Sequence, residues 1–235
     1  MKSLRIALAV PTLLLAAVSF AESPDTGTTR DVGDFNGVQV SKGLKAKVTV
    51  GPKSVRISGD EKLVSQVRTE VVDGKLVVRM EKKSWFGSSN SKGIQVTISN
   101  PQVTSVEASG GASIEAEATS TETFSAEASG GAAVSVRNVD AKKVKVEVSG
   151  GAEATLKGRA DNVDVEASGG AVVNAQDLSH KSLNVDASGG VVVNANPTDN
   201  LNADISGGVV VNVDSAPAQR EVSSSGGSTV HYGKK

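Results

Sequence analysis

The chain has 235 residues, no cysteine and a formal net charge of -1, from 25 basic and 26 acidic side chains. That balance excludes the concentrated basic face that nucleic acid requires, and the absence of thiols excludes disulfide stapling and cysteine chemistry. Only 3% of residues are aromatic against 38% apolar overall, so the expected core is a narrow one filled by Val, Ala and Leu.

Residues 1–21 read as a secretory signal peptide. Lys2 and Arg5 form the positive start, residues 6–18 the apolar stretch, and Ser19-Phe20-Ala21 the small-x-small cleavage pattern. Export is therefore expected, to the periplasm or the cell surface. No second apolar segment follows, so the mature chain is expected to be soluble or peripherally attached. Residues 22–30 are small and polar and read as a flexible leader.

From 31 to 100 the pattern is that of an N-terminal β region. Apolar Val38, Val40, Leu44, Ala46, Val48 and Val50 alternate with polar residues, a period of two, with a turn at Ser41-Lys42-Gly43. Asp60 is placed to cap a short helix over residues 61–67. Val71 to Val78 reads as a hairpin around Asp73-Gly74, a pair suited to a tight primed turn. Residues 81–93 interrupt this with a polar stretch that holds Trp85 and Phe86, a candidate stacking pair or an end cap.

From 101 to 235 a Ser-Gly-Gly step recurs, with first glycines at Gly110, Gly130, Gly150, Gly169, Gly189, Gly207 and Gly226. A fixed period near twenty residues predicts a solenoid, because each repeat cannot bury its apolar face alone and must stack on its neighbours. The fold class expected is all-β, a parallel β-helix-like solenoid with one short helix near its N-terminal end. Aligning the repeats on the glycines predicts four interior columns. They run from Ile114 to Val230, from Ala116 to Tyr232, from Val106 to Val222 and from Phe124 to Leu201. Turns are expected at Val139-Asp140, Gly158-Arg159, Leu178-Ser179-His180 and Asn196-Pro197-Thr198.

Three outward ladders follow from the same alignment. Glu107, Glu127, Glu147, Glu166, Asp186 and Asp204 share one column, either a strip for a hard cation such as calcium or a solvated acidic face. Asn174, Asn194 and Asn212 share another and are expected to hydrogen-bond along the stack. Val172, Val192 and Val210 share a third, either an apolar stripe for a partner or a second copy, or a strand covered by a loop. No cofactor is expected. No ligand-pair, nucleophile-elbow or phosphate-loop motif is present, and His180 and His231 have no companion at catalytic spacing.

The run Arg30-Asp31-Val32-Gly33-Asp34-Phe35-Asn36-Gly37-Val38, then Gly43-Leu44, Asp60-Glu61-Lys62-Leu63, Val72-Asp73-Gly74-Lys75-Leu76 and the Ser109-Gly110-Gly111-Ala112 repeats, resembles the bacterial family of putative auto-transporter adhesins with a head GIN domain, a domain of unknown function. The resemblance implies a right-handed parallel β-helix-like domain that is exported and has an adhesive or cell-envelope role. It carries no catalytic or binding residues across. The chain after the repeats leaves no room for a membrane barrel, so self-transport is not expected. The function expected is a non-enzymatic, adhesin-like protein that meets a glycan, protein or other cell-envelope component. A polysaccharide-active β-helix enzyme and a self-assembling envelope protein are the alternatives.

Overall fold

The computed structural model describes residues 27–81 and 93–233. The expected signal peptide, most of the leader, and Trp85 and Phe86 lie outside the described residues. Every described strand joins one 17-stranded sheet, wound into a β-solenoid of about 6 turns with a repeat spacing near 20 residues.

The N-terminal end is built out of chain order. After the short strand β1 (Thr28–Thr29), β2 (Gly37–Ser41) and β3 (Lys45–Val50) form a rung, and β4 (Ser54–Ser58) leaves it. Helix α1 spans only Glu61–Val64, with the Asp60 carboxylate accepting from the Lys62 and Leu63 amides at 3.0 and 3.3 Å. It is one turn shorter than expected because Val67 is drawn into β5 (Val67–Val72), which pairs antiparallel with β6 (Lys75–Met80). The β5–β6 turn has Asp73 and Gly74 both at positive φ, 50° and 74°, the primed geometry that suits right-twisted strands. The chain then runs through β7 (Gln95–Asn100) and returns to β8 (Ser105–Ser109) and β9 (Ser113–Glu117). The rung of β2 and β3 is thereby sandwiched: β2 pairs in parallel with β6 and β8, and β3 with β7 and β9.

From there the rungs stack in order: β10 (Thr121–Ser129), β11 (Ala133–Gly150), β12 (Glu153–Gly169), β13 (Val172–Gly189), β14 (Val192–Gly207), β15 (Val210–Val213), β16 (Gln219–Gly226) and β17 (Thr229–Tyr232). The pairing is parallel and in register, Val146 on Val165 on Val185. Side chains alternate across a strand, so each interior residue lies on its counterpart one rung away. Val, Ala and Leu fill this interior, and the Phe124 ring is fully buried among them.

Strands break at Gly-Gly and run on through the other corner. The expected turns near Val139, Gly158 and His180 are register shifts inside continuous strands, between Val136 and Val139, Thr155 and Gly158, and Ala175 and His180. Gly158 shows why: a Cβ there would overlap the Val139 backbone, and its φ is 137°. The break at Gly-Gly comes from the close approach of neighbouring rungs. Gly190 N donates to Gly169 O at 2.7 Å and Gly208 N to Gly189 O at 2.7 Å. At Gly189, with φ 94°, an added Cβ would meet Gly169 O at 2.8 Å, nearer than a methyl group tolerates.

Three interior assignments change at the last rung. Val222 is 40% and Tyr232 37% exposed, and Val230 is only partly buried. Their parity is as expected, but no rung of the described residues lies beneath them.

Candidate functional site

The face that precedes each Gly-Gly corner carries the acidic residues. Glu107, Glu127, Glu147, Glu166, Asp186 and Asp204 are Cα partners rung to rung. The serine column of Ser109, Ser129, Ser149, Ser168, Ser188 and Ser206 runs beside them two places on. Glu107 to Asp186 and the serines from Ser129 to Ser188 line a shallow groove along the solenoid axis.

Its N-terminal end is partly neutralised. Gln39 Nε2 donates to Glu107 at 2.6 Å, and Lys75 Nζ lies 3.3 Å from Glu107 and 3.9 Å from Glu127. Burial pushes the Glu127 carboxyl up from its ordinary value, with Lys75 opposing and the Glu107 and Glu147 charges adding to the rise. Further along, Glu147, Glu166, Asp186 and Asp204 form no ion pair with a described residue. Rungs stack about 4.8 Å apart, so like charges are held closer than the roughly 8 Å over which salt screens them. Among the described residues no group of three or more His, Asp or Glu side chains is arranged to hold a metal ion.

A neighbouring column shows the opposite pattern. Glu122, Lys142, Asp161, Lys181 and Asp199 alternate in sign, with ion pairs of 2.9 Å from Lys142 to Glu122 and 2.8 Å from Lys181 to Asp161. Asp161 also acts on Lys142, and Asp199 on Lys181, each favouring the charged ammonium. This ladder was absent from the sequence reading. Its signal was available, because its intervals of 20, 19, 20 and 18 residues repeat those of the glycines.

On the next face the three asparagines stack. Asn194 Nδ2 donates to Asn174 Oδ1 at 2.7 Å, Asn212 Nδ2 to Asn194 Oδ1 at 2.8 Å, and Asn174 Nδ2 to Glu153 at 3.0 Å. Each amide thus spends its donor on the rung before it. Val172, Val192 and Val210 form the adjacent outward column, paired rung on rung and half-buried by their own stacking. Glu153 precedes them in the column and Thr229 follows, so the apolar stretch is three rungs long.

The two histidines are separate. His231 is exposed on the last rung, while His180, expected in an open turn, is buried with 2% exposure. Its side chain turns inward at the corner because the register shift there inverts the parity.

A family profile described as "Putative auto-transporter adhesin, head GIN domain" matches residues 34–217. No curated protein matches the chain in sequence. In fold it is similar to the crystal structure of a putative adhesin from Bacteroides fragilis, with a TM-score of 0.80 at 18% identity over 88% of this chain and 95% of that one. It is also similar to a putative lipid binding protein from Parabacteroides distasonis, TM-score 0.65 at 11% identity over 88% and 96% of the two chains. A putative adhesin from the same species gives 0.62 at 21% identity over 88% and 96%.

Proposed function

The chain belongs to the family of putative auto-transporter adhesins with a head GIN domain, and from that premise we propose that it is an exported, non-enzymatic, adhesin-like protein. It meets a glycan or protein component of the cell envelope through its outward ladders. The observation that carries this reading is the acidic column beside the serines. It keeps one sign over six rungs, while the ladder from Glu122 to Asp199 alternates in sign. Like charges facing each other across strands cost stability, and a rigid row of carboxylates, without ion pairs to described residues from Glu147 to Asp204 and with hydroxyls alongside, suits a polar or cationic partner. No helix among the described residues is long and apolar enough to cross a membrane.

The test takes the chain without residues 1–21, measures its oligomeric state, and screens it against glycans and envelope polymers with and without calcium. Binding to an envelope component is the expected outcome. A strict monomer that binds nothing would overturn the reading, and turnover of a polysaccharide in the same panel would replace it with the enzyme alternative.

A further inference from the structure

His180 is the one buried ionisable side chain among the described residues. Its Nδ1 lies 2.6 Å from Leu178 O, a carbonyl that can only accept, so the ring carries its proton on Nδ1. Nε2 is buried with no hydrogen-bond partner. It is therefore a vacant base inside an apolar wall, over Pro197 of the next rung, its Cα partner. The charged groups nearby lie outward and are otherwise engaged. On β12, Asp161 binds Lys181 at 2.8 Å, and Arg159 binds Asp140 of β11 at 2.7 Å. On β13, Asp177 binds Lys157 at 2.8 Å, and on β14, Asp199 acts on Lys181.

From this geometry we infer that His180 makes the C-terminal rungs, from β13 to the end, an acid-labile unit that opens before the rest of the solenoid. A proton arriving at Nε2 makes an N–H with no acceptor and a charge with no counter-ion, in a place where neither is solvated. Neighbouring rungs share stability only through their interfaces, and β16 ends the stack with all eight of its residues exposed. Opening therefore starts from that end and reaches His180 without disturbing β10 and β11.

The pH window has a definite sign. Burial lowers the imidazole's pKa from its ordinary 6.5, against the opposing bond to Leu178. Above that value folded and opened rungs are both neutral and His180 contributes nothing. As pH falls below it, the opened state takes the proton first and stability is lost.

The experiment follows the His180 imidazole by NMR in the isotope-labelled chain, with native-state hydrogen exchange at about pH 7.5 and about pH 5, corrected for intrinsic exchange. The expected result is that the His180 imidazole titrates below its ordinary value in the folded chain, and that β13–β16 amides open more readily at the lower pH while β10 and β11 do not. The ceiling is about thirty-fold, tenfold per pH unit below the ordinary value. His180→Leu and His180→Gln should remove that acid-specific gap. Titration of His180 at or above its ordinary value of 6.5 in the folded chain, or the same gap in His180→Leu, would overturn the inference. If neither variant folds, the wild-type titration and exchange decide alone.

Discussion

The two ends of the solenoid close in different ways. At the N-terminal end the chain reverses direction: β4 pairs antiparallel with β7, β5 with β6, and β1 covers part of β4. Large side chains fill that end, with Ile57, Leu76, Met80 and Ile98 all fully buried. At the C-terminal end no described strand covers β16 or β17. Instead the interior columns change chemistry: Leu201 is followed by Arg220 and Ile205 by Ser224. The Arg220 guanidinium sits 4.3 Å over the Tyr232 ring and donates through Nε to Pro217 O at 3.0 Å. One end buries its edge under crossed strands; the other makes its last layer tolerant of water. Both answer the hazard of an open edge, and the second leaves the less stable half.

That asymmetry can be tested within single columns. Leu183→Ala, in the middle of the fourth interior column, should cost about 2–5 kcal/mol in chemical denaturation. Arg220→Ala, at the end of that same column, should cost no more than about 1 kcal/mol, the scale of an exposed cation–π contact. Equal losses would mean that the last rung is as much a core layer as the others. The glycine column gives the next comparison. Gly189→Ala, at positive φ and against Gly169 O, should cost about 1–3 kcal/mol. At Gly227 an added Cβ would meet Gly207 O at an ordinary 3.6 Å, so Gly227→Ala should stay within about 0.5 kcal/mol.

A smaller effect is expected in the asparagine ladder. Asn194 bonds to both neighbours, so Asn194→Ala should cost about 1–2 kcal/mol, two modest hydrogen bonds, and should raise exchange in β13–β15 before β10. The smallest belongs to the alternating ladder. Lys142→Glu would set three negative charges in succession with Glu122 and Asp161. Thermal stability should fall slightly at low ionic strength and recover with added salt; a loss that salt does not reverse would point to packing.

Much of this was legible in the sequence because a fixed period converts spacing into contact. Once the glycines are aligned, Val146, Val165 and Val185 fall on one another, as do Asn174, Asn194 and Asn212. The N-terminal rung order was not legible. Nothing local says that β2 lies between β6 and β8, since that pairing is non-sequential and depends on where β4 and β5 turn back. One trace was present: Ser41-Lys42-Gly43 is a Ser-Gly-Gly step with lysine in the first glycine place. Lys42 and Gly43 have φ of 60° and 71°, against 58° and 74° at Gly110 and Gly111, and Lys42 N donates to Ser109 O at 3.2 Å. Ser91-Lys92-Gly93 repeats the tripeptide in sequence. The burial of His180 was hidden for another reason: alternation predicts facing only while the register holds, and the shift at that corner breaks it.

The reading of the acidic face rests on the carboxylates from Glu147 onward remaining unpaired, and a triple substitution tests it most directly. Glu147→Gln, Glu166→Gln and Asp186→Asn together keep the shape of the column and remove three of its six charges. Binding to whichever envelope component the wild type captures should be lost while the melting temperature holds or rises, since repulsion along the stack is relieved. Undiminished binding by the folded triple variant would contradict the account and move the contact surface elsewhere on the solenoid.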